Sequence, residues 1–501
     1  MRFLFIYPDI GGIFPNFSPA IEVLSACLKE AGNEVEVIHV NDKFTPPKQE
    51  LILEKVLEFS PDIIGITAVT NLFKFCDETA GYLKSHGFDK MIICGGIHPT
   101  IAPNDLEKSN FDAFSIGEGE LSLVELCRRM ENGEDIYSVK GMIYKKDGEI
   151  IDNGYPDVVT DLDTLPPRDF EVMEIGKLLD YKNHFFSTGV SRGCPFPCSF
   201  CINSKLKKIY NGSCNHNYYR VNSVDRAISD LLLVIEKYHE KIDVIDFEDD
   251  LLLMNKKWIL EFCEKYKKLI YEPYGIKFVM NSRADTIDEE RVLKLQEAGC
   301  EFIAIGIETG DENLRNNILK KHIYDKDLIY SFDLLNRLGM RSHSFFMIGI
   351  PGENEESIQC SMRLLRRLKP GSIRMTIFQP FIGTELYDLC EKEGMLTDID
   401  LMENYFTTST IHLEGITPHK LKTYHLMFPW HLNIGFVEKY EELYKELIDK
   451  YKDMPLEELI KPETREQVLE DDKRVSEILS NEKILHFRFF EKNNYNYSLT
   501  Y

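Results

Sequence analysis

No run of the sequence approaches the roughly 20 consecutive apolar residues that span a bilayer. Cations are in deficit: 59 Lys and Arg face 83 Asp and Glu, for a net charge of −24. Such a surface repels nucleic-acid phosphates and anionic lipid overall, so bulk nucleic acid is not an expected partner. A secretory signal is missing too. The N-terminus, Met1-Arg2-Phe3-Leu4-Phe5-Ile6-Tyr7-Pro8, has one Arg, but its apolar run is too short for a signal core and reads as a first strand. Apolar residues at 43% and charged residues at 28% form an ordinary globular mix, which excludes a disordered, collagen-like or coiled-coil chain. These absences predict a soluble, cytoplasmic chain with no membrane span. Its 501 residues, at about 150 per domain, predict two to four domains.

Cysteine is plentiful but mostly dispersed. Of 12, nine (Cys27, Cys76, Cys94, Cys127, Cys214, Cys263, Cys300, Cys360 and Cys390) are scattered, most in helix-like or strand-like apolar segments. There a free Cys behaves as a small hydrophobe. Cys194, Cys198 and Cys201 are packed together. In a cytosolic chain such a cluster points to metal binding or catalysis rather than to a disulfide.

Residues 1–135 alternate short apolar runs (Phe3–Tyr7, Val35–Val40, Ile63–Val69, Met91–Cys94, Ala113–Ile116) with amphipathic stretches such as Ile21–Leu28, Leu51–Phe59 and Leu121–Met130. Gly32 and Gly87 fall where helices should stop. Five strands alternating with helices predict an α/β fold with a parallel, doubly wound sheet. Ligands of such sheets bind at the carboxyl ends of the strands. Those ends contain Asp9, Gly11 and Gly12; Thr67, Ala68 and Thr70; Gly95, Gly96 and His98; and Gly117, Glu118 and Gly119. Gly117-Glu118-Gly119 is no dinucleotide fingerprint, because it follows the last strand and lacks the third Gly.

The order of a strand–helix unit, then PDIIGITAVT, IICGGIHPT and FSIGEGE, resembles the cobalamin-binding domain fused to many radical S-adenosylmethionine (SAM) enzymes. The resemblance implies a Rossmann-like domain that binds cobalamin through the residues just named. The Asp-x-His-x-x-Gly signature, whose His ligates cobalt, is absent. The resemblance therefore implies a cofactor held without a protein His on cobalt. Residues 136–180 then read as a hairpin with an Asp147-Gly148 turn, followed by an acidic, Pro-broken linker.

Arg192-Gly193-Cys194-Pro195-Phe196-Pro197-Cys198-Ser199-Phe200-Cys201 has a Cys-x3-Cys-x2-Cys spacing. Three thiolates suit three irons of a [4Fe–4S] cluster and leave the fourth iron open to SAM. A zinc loop completed by Cys214 or His216, or a redox-sensing thiol group, are the rivals. The motif, with Phe200 before its last Cys, resembles that of the radical SAM superfamily.

Six apolar runs with helical stretches between them follow: Phe185–Val190, Val244–Phe247, Ile276–Met280, Phe302–Ile307, Ser344–Ile348 and Ile373–Phe378. The resemblance makes residues 181–390 a partial (β/α)6 barrel, whose chemistry belongs at the C-terminal strand ends. The superfamily's Gly-Gly-Glu motif is absent after the second run. Glu248, Asp249 and Asp250 are offered there for the SAM ammonium. Arg283 suits the SAM carboxylate, Asn281 and Ser282 the ribose, and Glu308 the ribose or Arg283. Ile348 and Gly349, in a Gly-Ile-Pro-Gly-Glu turn that resembles the family's, offer backbone groups to adenine. Phe378 to Tyr387 is close to the family's Pro-x-Pro-Gly-Thr-x-Leu-Tyr ending, with Phe381-Ile382 displacing the second Pro.

Residues 391–501 read as a helical C-terminal region. Met402, Tyr405, Phe406, His412, His419, His425, Trp430 and His431 are expected to pack it, the rival reading being a substrate-binding surface near the barrel mouth, and the tail Asn493 to Tyr497 is expected to fray. The whole predicts an enzyme that cleaves SAM reductively to a 5′-deoxyadenosyl radical and modifies an unactivated carbon of a small-molecule or lipid-like substrate. In the family's commonest chemistry methylcobalamin then supplies a methyl group. Ring closure, rearrangement or oxidation without methyl transfer is the alternative, and a non-catalytic iron–sulfur and cobalamin sensor a further one. A ferredoxin- or flavodoxin-type electron donor is what the resemblance implies. No individual radical-quenching residue is legible.

Overall fold

The computed structural model describes residues 1–12, 15–213, 218–397, 408–490 and 496–501. Cys214, His216, Met402, Tyr405, Phe406, Asn493, Asn494 and Tyr495 lie outside the described residues. The chain forms two compact units interleaved in sequence. Unit 1 is Met1–Pro195, Ile202–Asp249 and Lys268–Lys277, and unit 2 is Phe196–Cys201, Asp250–Lys267 and Phe278–Tyr501. The strand–helix repeats after residue 181 thus begin in unit 1 and finish in unit 2.

Unit 1 is built on strands β1 (Arg2–Pro8), β2 (Glu34–Val40), β3 (Ile63–Thr67), β4 (Met91–Gly95), β5 (Ala113–Ser115), β6 (Met142–Lys146) and β7 (Glu149–Asp152). They form a sheet in the order β2-β1-β3-β4-β5-β6-β7. β1 to β5 pair in parallel; the apolar runs of β1, β3 and β4 suit strands covered on both faces, while β2, at the edge, alternates with Glu34 and Glu36 exposed. The covering helices are α1 (Pro19–Glu30), α2 (Gln49–Phe59), α3 (Phe73–Ser85), α4 (Ile97–Ile101) and α5 (Glu120–Asn132). Ser18 caps α1 by accepting the Ile21 amide at 3.4 Å, with Pro19 in the first turn. α3 buries Cys76, Ala80 and Leu83 completely, and Gly87 follows its end with φ +95°.

The hairpin β6–β7 belongs to this sheet rather than to a free connecting segment. Asp147 and Gly148 take left-handed φ values of 51° and 83°, the primed turn that suits a two-residue hairpin. β6 then pairs antiparallel with β5, so the predicted parallel sheet ends in an antiparallel edge. The pairing satisfies an edge strand whose three residues are all buried. Unit 1 also contains α6 (Ile175–Tyr181), the parallel pair β8 (Phe185–Thr188) and β11 (Val244–Phe247), a two-residue ribbon of β9 (Ser191–Arg192) and β10 (Arg220–Val221), and helices α7 (Ile202–Ser213) and α8 (Val224–Tyr238).

Unit 2 contains the parallel strands β12 (Lys277–Ser282, beginning at its boundary), β13 (Cys300–Glu308), β14 (Arg341–Ile348) and β15 (Ser372–Ile377). Helices Glu289–Glu297, Asp325–Leu338 and Glu355–Leu368 connect them. All six expected strand runs therefore form, and neither unit's set closes on itself. The C-terminal region is helical over Pro418–Leu426, Phe428–Asn433, Glu441–Tyr451 and Pro462–Asn481, but it ends in a hairpin of β16 (His486–Phe489) and β17 (Asn496–Thr500). This corrects the frayed tail at Asn496 and Tyr497. β17 pairs antiparallel with β15 and β16, and the fully buried Tyr497 donates its hydroxyl to the His425 carbonyl at 2.9 Å. The open backbone edge of β15 supplied the partner. Trp430 and His425 are buried, as packing required, and Trp430 donates to Asp472 at 2.8 Å. Among the described residues no helix is long and apolar enough to cross a membrane.

Candidate active site and cofactor cavity

A cavity of about 370 Å³ opens in unit 1 at the carboxyl ends of its parallel strands. Its inner wall is apolar: Phe3 and Phe5 of β1, Leu24 of α1, Ile93 of β4 and Leu123 of α5. Gly65 makes way for the Phe3 ring, which a Cβ there would meet at 2.9 Å, while Gly95 and Ser115 leave room in front of the sheet. A Cβ on Gly95 would meet nothing nearer than Ser115 Cβ at 4.0 Å, so the missing side chain is part of the cavity. Gly96 has φ +97°, and a Cβ there would lie 2.8 Å from the Ala68 carbonyl oxygen, which makes glycine obligatory. Ser115 brings a hydroxyl, 5% exposed, to this wall. An apolar floor with polar groups at its rim is a form taken by sites for organic cofactors.

Of the twelve residues expected to bind cobalamin, Thr67, Gly95, Gly96, Gly117, Glu118 and Gly119 line this cavity. The other six have different surroundings. Asp9 is a buried hub: its carboxylate accepts from the Asn16 amide at 2.6 Å and Asn16 Nδ2 at 2.9 Å, and meets His39 Nε2 at 2.9 Å. Gly11 and Gly12 are exposed. Ala68 donates to the Gly95 carbonyl and accepts from the His98 amide, which extends the β3–β4 register. His98 is buried against the Phe73 ring, centroids 3.8 Å apart, with Thr70 Oγ1 at 3.4 Å and Asp105 Oδ2 at 3.2 Å. Burial lowers its pKa against the pull of Asp105. None of these six residues lines the cavity.

Sequence reading missed the charged rim. Arg220 grips Glu118 with both terminal nitrogens, at 3.0 and 2.5 Å. Arg192, its partner across the β9–β10 ribbon, reaches Glu118 at 3.3 Å and Glu120 at 2.6 Å. Burial would raise the Glu118 pKa, but the two guanidiniums hold it below the usual carboxylate range. Arg168 donates to Thr188 Oγ1 at 2.9 Å and to the Gly189 carbonyl. Arg226 clamps Asp230 and the Leu165 and Pro166 carbonyls. Glu22 on α1 is fully buried, and neither carboxyl oxygen has a hydrogen-bond partner. Burial pushes its pKa up to about 7, against the Arg168 charge.

The cluster loop begins in unit 1. Gly193 has φ +81°, and a Cβ would lie 2.5 Å from the Tyr218 carbonyl oxygen. Asp249 fixes the approach to it. Its buried carboxylate accepts from the Val190 and Ser191 amides at 3.0 and 2.5 Å, and from the Ser191 hydroxyl. That is a task other than the expected grip on the SAM ammonium. The alternation of the strand end leaves Glu248 and Asp250 exposed and Asp249 buried.

Within unit 2 the Cys201 amide donates to the Cys198 carbonyl at 3.2 Å, and the Ser199 amide to the Leu319 carbonyl at 3.0 Å. Phe200, expected beside SAM, is half-buried against the apolar cluster of Leu319, Ile350 and Phe378. Burial raises the Cys198 pKa, and the Lys321 and Arg283 charges oppose it. Two cations beside a buried thiol favour the thiolate a metal cluster needs.

Those cations are tied into the strand ends. Arg283 stacks 3.5 Å over the Phe196 ring, binds Asp285 through Nε and Nη2 at 3.0 Å each, and donates to the Lys321 carbonyl at 2.9 Å. Glu308 pairs with Lys321 at 2.7 Å, not with Arg283. A bulge at Ile307 and a left-handed φ of 67° turn Glu308 toward Lys321. Ser282 shares a hydrogen bond with Thr286 at 2.8 Å, and Asn281 next to it on β12 is half-buried. The Ile348 carbonyl accepts from the Phe378 amide at 2.8 Å, and the Gly349 amide donates to Glu353 Oε2 at 2.5 Å. Both backbone groups, expected to face adenine, are already bonded within the protein. Glu353 is buried, which pushes its pKa up to about 8.

Residues 11–127 match the B12 binding domain model, and residues 188–365 match that of the radical SAM superfamily. The chain is a radical SAM protein with a B12-binding domain. These are the domains that take cobalamin, and a [4Fe–4S] cluster with SAM. The slot in unit 1 and the three-thiol loop fit those groups. This B12-binding radical SAM protein is 27% identical over 351 residues to an uncharacterized methyltransferase of Pyrococcus horikoshii, covering 69% of this chain and 72% of that protein. It is 25% identical over 401 residues to the anaerobic magnesium-protoporphyrin IX monomethyl ester cyclase of Rubrivivax gelatinosus, covering 77% and 69%. Its fold is similar to that of the cobalamin-dependent SAM radical enzyme OxsB, with a TM-score of 0.68 at 16% identity over 96% of this chain and 75% of that one. The radical SAM methyltransferase TsrM of Kitasatospora setae gives 0.63 at 16% identity over 78% and 75%.

Proposed function

We propose that the protein is a cobalamin-dependent radical SAM methyltransferase that acts on an unactivated carbon of a small-molecule or lipid-like substrate. The observation that carries the reading is the apolar slot at the strand ends of the B12-binding domain, open at Gly95 and walled by Phe3, Phe5 and Ser115. When bound, the cluster supplies the electron that cleaves SAM, and cobalamin supplies a carrier for the methyl group.

Cys194, Cys198 and Cys201 would hold the cluster by their thiolates. Lys321 and Arg283 favour the charged form of Cys198. Glu248 is an exposed carboxylate at the second strand end, where the SAM ammonium is expected, and Asp250, also exposed, stands two residues on. Asn281 and Ser282 stand at the third strand end, where ribose hydroxyls are expected. Asp249 positions the loop rather than touching SAM.

The printed name of the Rubrivivax relative supports a second reading, ring closure without net methyl transfer. One experiment separates them. Anaerobically reconstituted protein is offered hydroxocobalamin and desalted, and its ultraviolet–visible spectrum is recorded. It is then reduced with SAM, and 5′-deoxyadenosine and S-adenosylhomocysteine are both quantified. Methyl transfer requires a retained corrinoid and both products. 5′-Deoxyadenosine alone favours ring closure, and loss of the corrinoid on desalting ends the cobalamin reading.

A further inference from the structure

We propose that Arg192 and Arg220 are positioning residues that couple the cofactor slot to the cluster loop through Glu118, so that corrinoid and cluster bind cooperatively. The inference rests on the proposed function, which places both groups in this chain.

The first observation is the charge across the β9–β10 ribbon. Arg192 stands two residues before Cys194, and Arg220 is directly opposite it in the antiparallel pair. Like charges directly opposite destabilise a strand pair. A ribbon of two residues per strand has little stability of its own. It therefore needs an anion set across both guanidiniums, and Glu118 is that anion. Arg220 closes a fork on it through Nη1 at 3.0 Å and Nη2 at 2.5 Å, and Arg192 Nη1 reaches the same carboxylate at 3.3 Å. Arg192 Nη2 goes on to Glu120 at 2.6 Å. Arg220 and Glu120 are buried, so the network is shielded from the solvent screening that weakens surface pairs.

The other end of this network is the cofactor cavity, which Glu118 and Glu120 line. Their loop is tied to the Gly95-Gly96 turn by one hydroxyl. Thr100 Oγ1 accepts from the Gly117 amide at 2.9 Å and donates to the Gly96 carbonyl at 2.8 Å. A shift of Glu118 is thus passed to the turn whose glycines open the slot.

A second chain of contacts runs beside the ionic one. Gly117 has φ +76°, and a Cβ there would lie 3.0 Å from the Tyr210 hydroxyl oxygen. Tyr210 of α7 stacks on Tyr218, ring centroids 5.4 Å apart. Tyr218 in turn crowds Gly193, where a Cβ would come within 2.9 Å of its ring. Gly193 adjoins Cys194, the first cluster cysteine.

Both chains start at residues 117 and 118 and end at the cluster loop. A cluster on Cys194 fixes the ribbon, and the ribbon fixes Glu118 at the rim. A corrinoid that meets an ordered rim has less to order, so each group favours the other. Linkage makes the effect equal in both directions.

The test is the Kd of hydroxocobalamin, measured by anaerobic equilibrium dialysis on the full chain, cluster-free and reconstituted. Wild type should bind at least about fivefold more tightly when reconstituted, the lower end of the range for coupled sites. Arg220→Met is the sharpest variant, because Arg220 does not line the cavity. Its two Kd values should agree within about twofold, well below that range. Glu118→Gln keeps the side-chain shape and removes the charge, and it should lose the difference too, whatever its absolute affinity. Arg128→Met removes an exposed guanidinium of α5, paired with Glu125 and Glu134, and should keep the wild-type ratio. A merely structural role would weaken binding equally in both forms and leave the ratio in place. The proposal is overturned by equal Kd values in the two wild-type forms, or by a wild-type ratio in Arg220→Met and Glu118→Gln. Failure of both wild-type forms to bind hydroxocobalamin would end the cobalamin reading and this inference with it, whereas equal binding ends this inference alone.

Discussion

Glu308 Oε1 and Lys321 Nζ lie 2.7 Å apart in the interior of unit 2, in space that exists because residue 306 is glycine. A Cβ on Gly306 would stand 2.3 Å from that carboxylate oxygen and 2.6 Å from that ammonium. The pair sits beside Cys198, whose pKa it moves in both directions: Lys321 down, Glu308 up. A strand-end bulge, an absent side chain and an ion pair therefore form one device next to a cluster ligand.

Lys321→Met should leave Glu308 buried and uncompensated. Loss of one partner of a buried pair costs about 3–5 kcal/mol. The urea unfolding midpoint should fall accordingly, and the double variant Glu308→Gln/Lys321→Met should recover most of the loss. Equal midpoints for the single and double variants would mean that the pair is not coupled.

Glu22 should make unit 1 less stable as pH rises. In the folded protein burial holds its proton up to about pH 7, whereas the unfolded chain releases it near the ordinary glutamate value of 4.5. Between those values the folded state binds more protons, so stability is greatest below the lower one and declines toward pH 7. The total effect is about 3 kcal/mol. Glu22→Gln should flatten the profile, with an advantage over wild type at pH 8 that disappears at pH 4.5. Parallel profiles would refute the assignment.

Gly95→Val should fill the cofactor slot without straining β4, where a branched residue suits the strand. Corrinoid retained after desalting should fall by at least about tenfold, the loss that follows from about 1.4 kcal/mol of missing contact. The broad iron–sulfur absorption should be unchanged. Undiminished corrinoid would place the cofactor elsewhere.

Cys198→Ala should do the reverse. Iron and acid-labile sulfide should drop to a small fraction of wild type and 5′-deoxyadenosine should vanish, while corrinoid still binds, with the weaker affinity of the cluster-free chain. A variant that keeps its iron and sulfide would mean that this thiol is not a ligand.

Much of the fold was legible because it rests on local pattern. Strands β1, β3 and β4 announced themselves as nearly unbroken apolar stretches, and the others as short Val-, Ile- and Phe-rich runs, since strands covered on both faces are mostly apolar. The Asp147-Gly148 turn was readable from two residues. The Cys-x3-Cys-x2-Cys loop was readable because ligands close in sequence are close in space. What the hairpin joined was not legible: β6 went to the β5 edge, and β17, at the chain's end, to the β15 edge. Edge pairing depends on which backbone groups are left open, which no local signal records.

The site divides in the same way. By itself the sequence determined the chemistry on offer: three clustered thiols, glycines at strand ends, and carboxylates after the second strand run. Only the tertiary structure decided which of these groups were already engaged. Asp9 and Asp249 were drawn into loop hydrogen bonds, Glu308 to Lys321 rather than to Arg283, and Arg192 and Arg220 to Glu118 from far along the chain. Residue type fixes what a side chain can do. Its partner is set by burial, because a polar group removed from water must take whichever partner the fold places within reach.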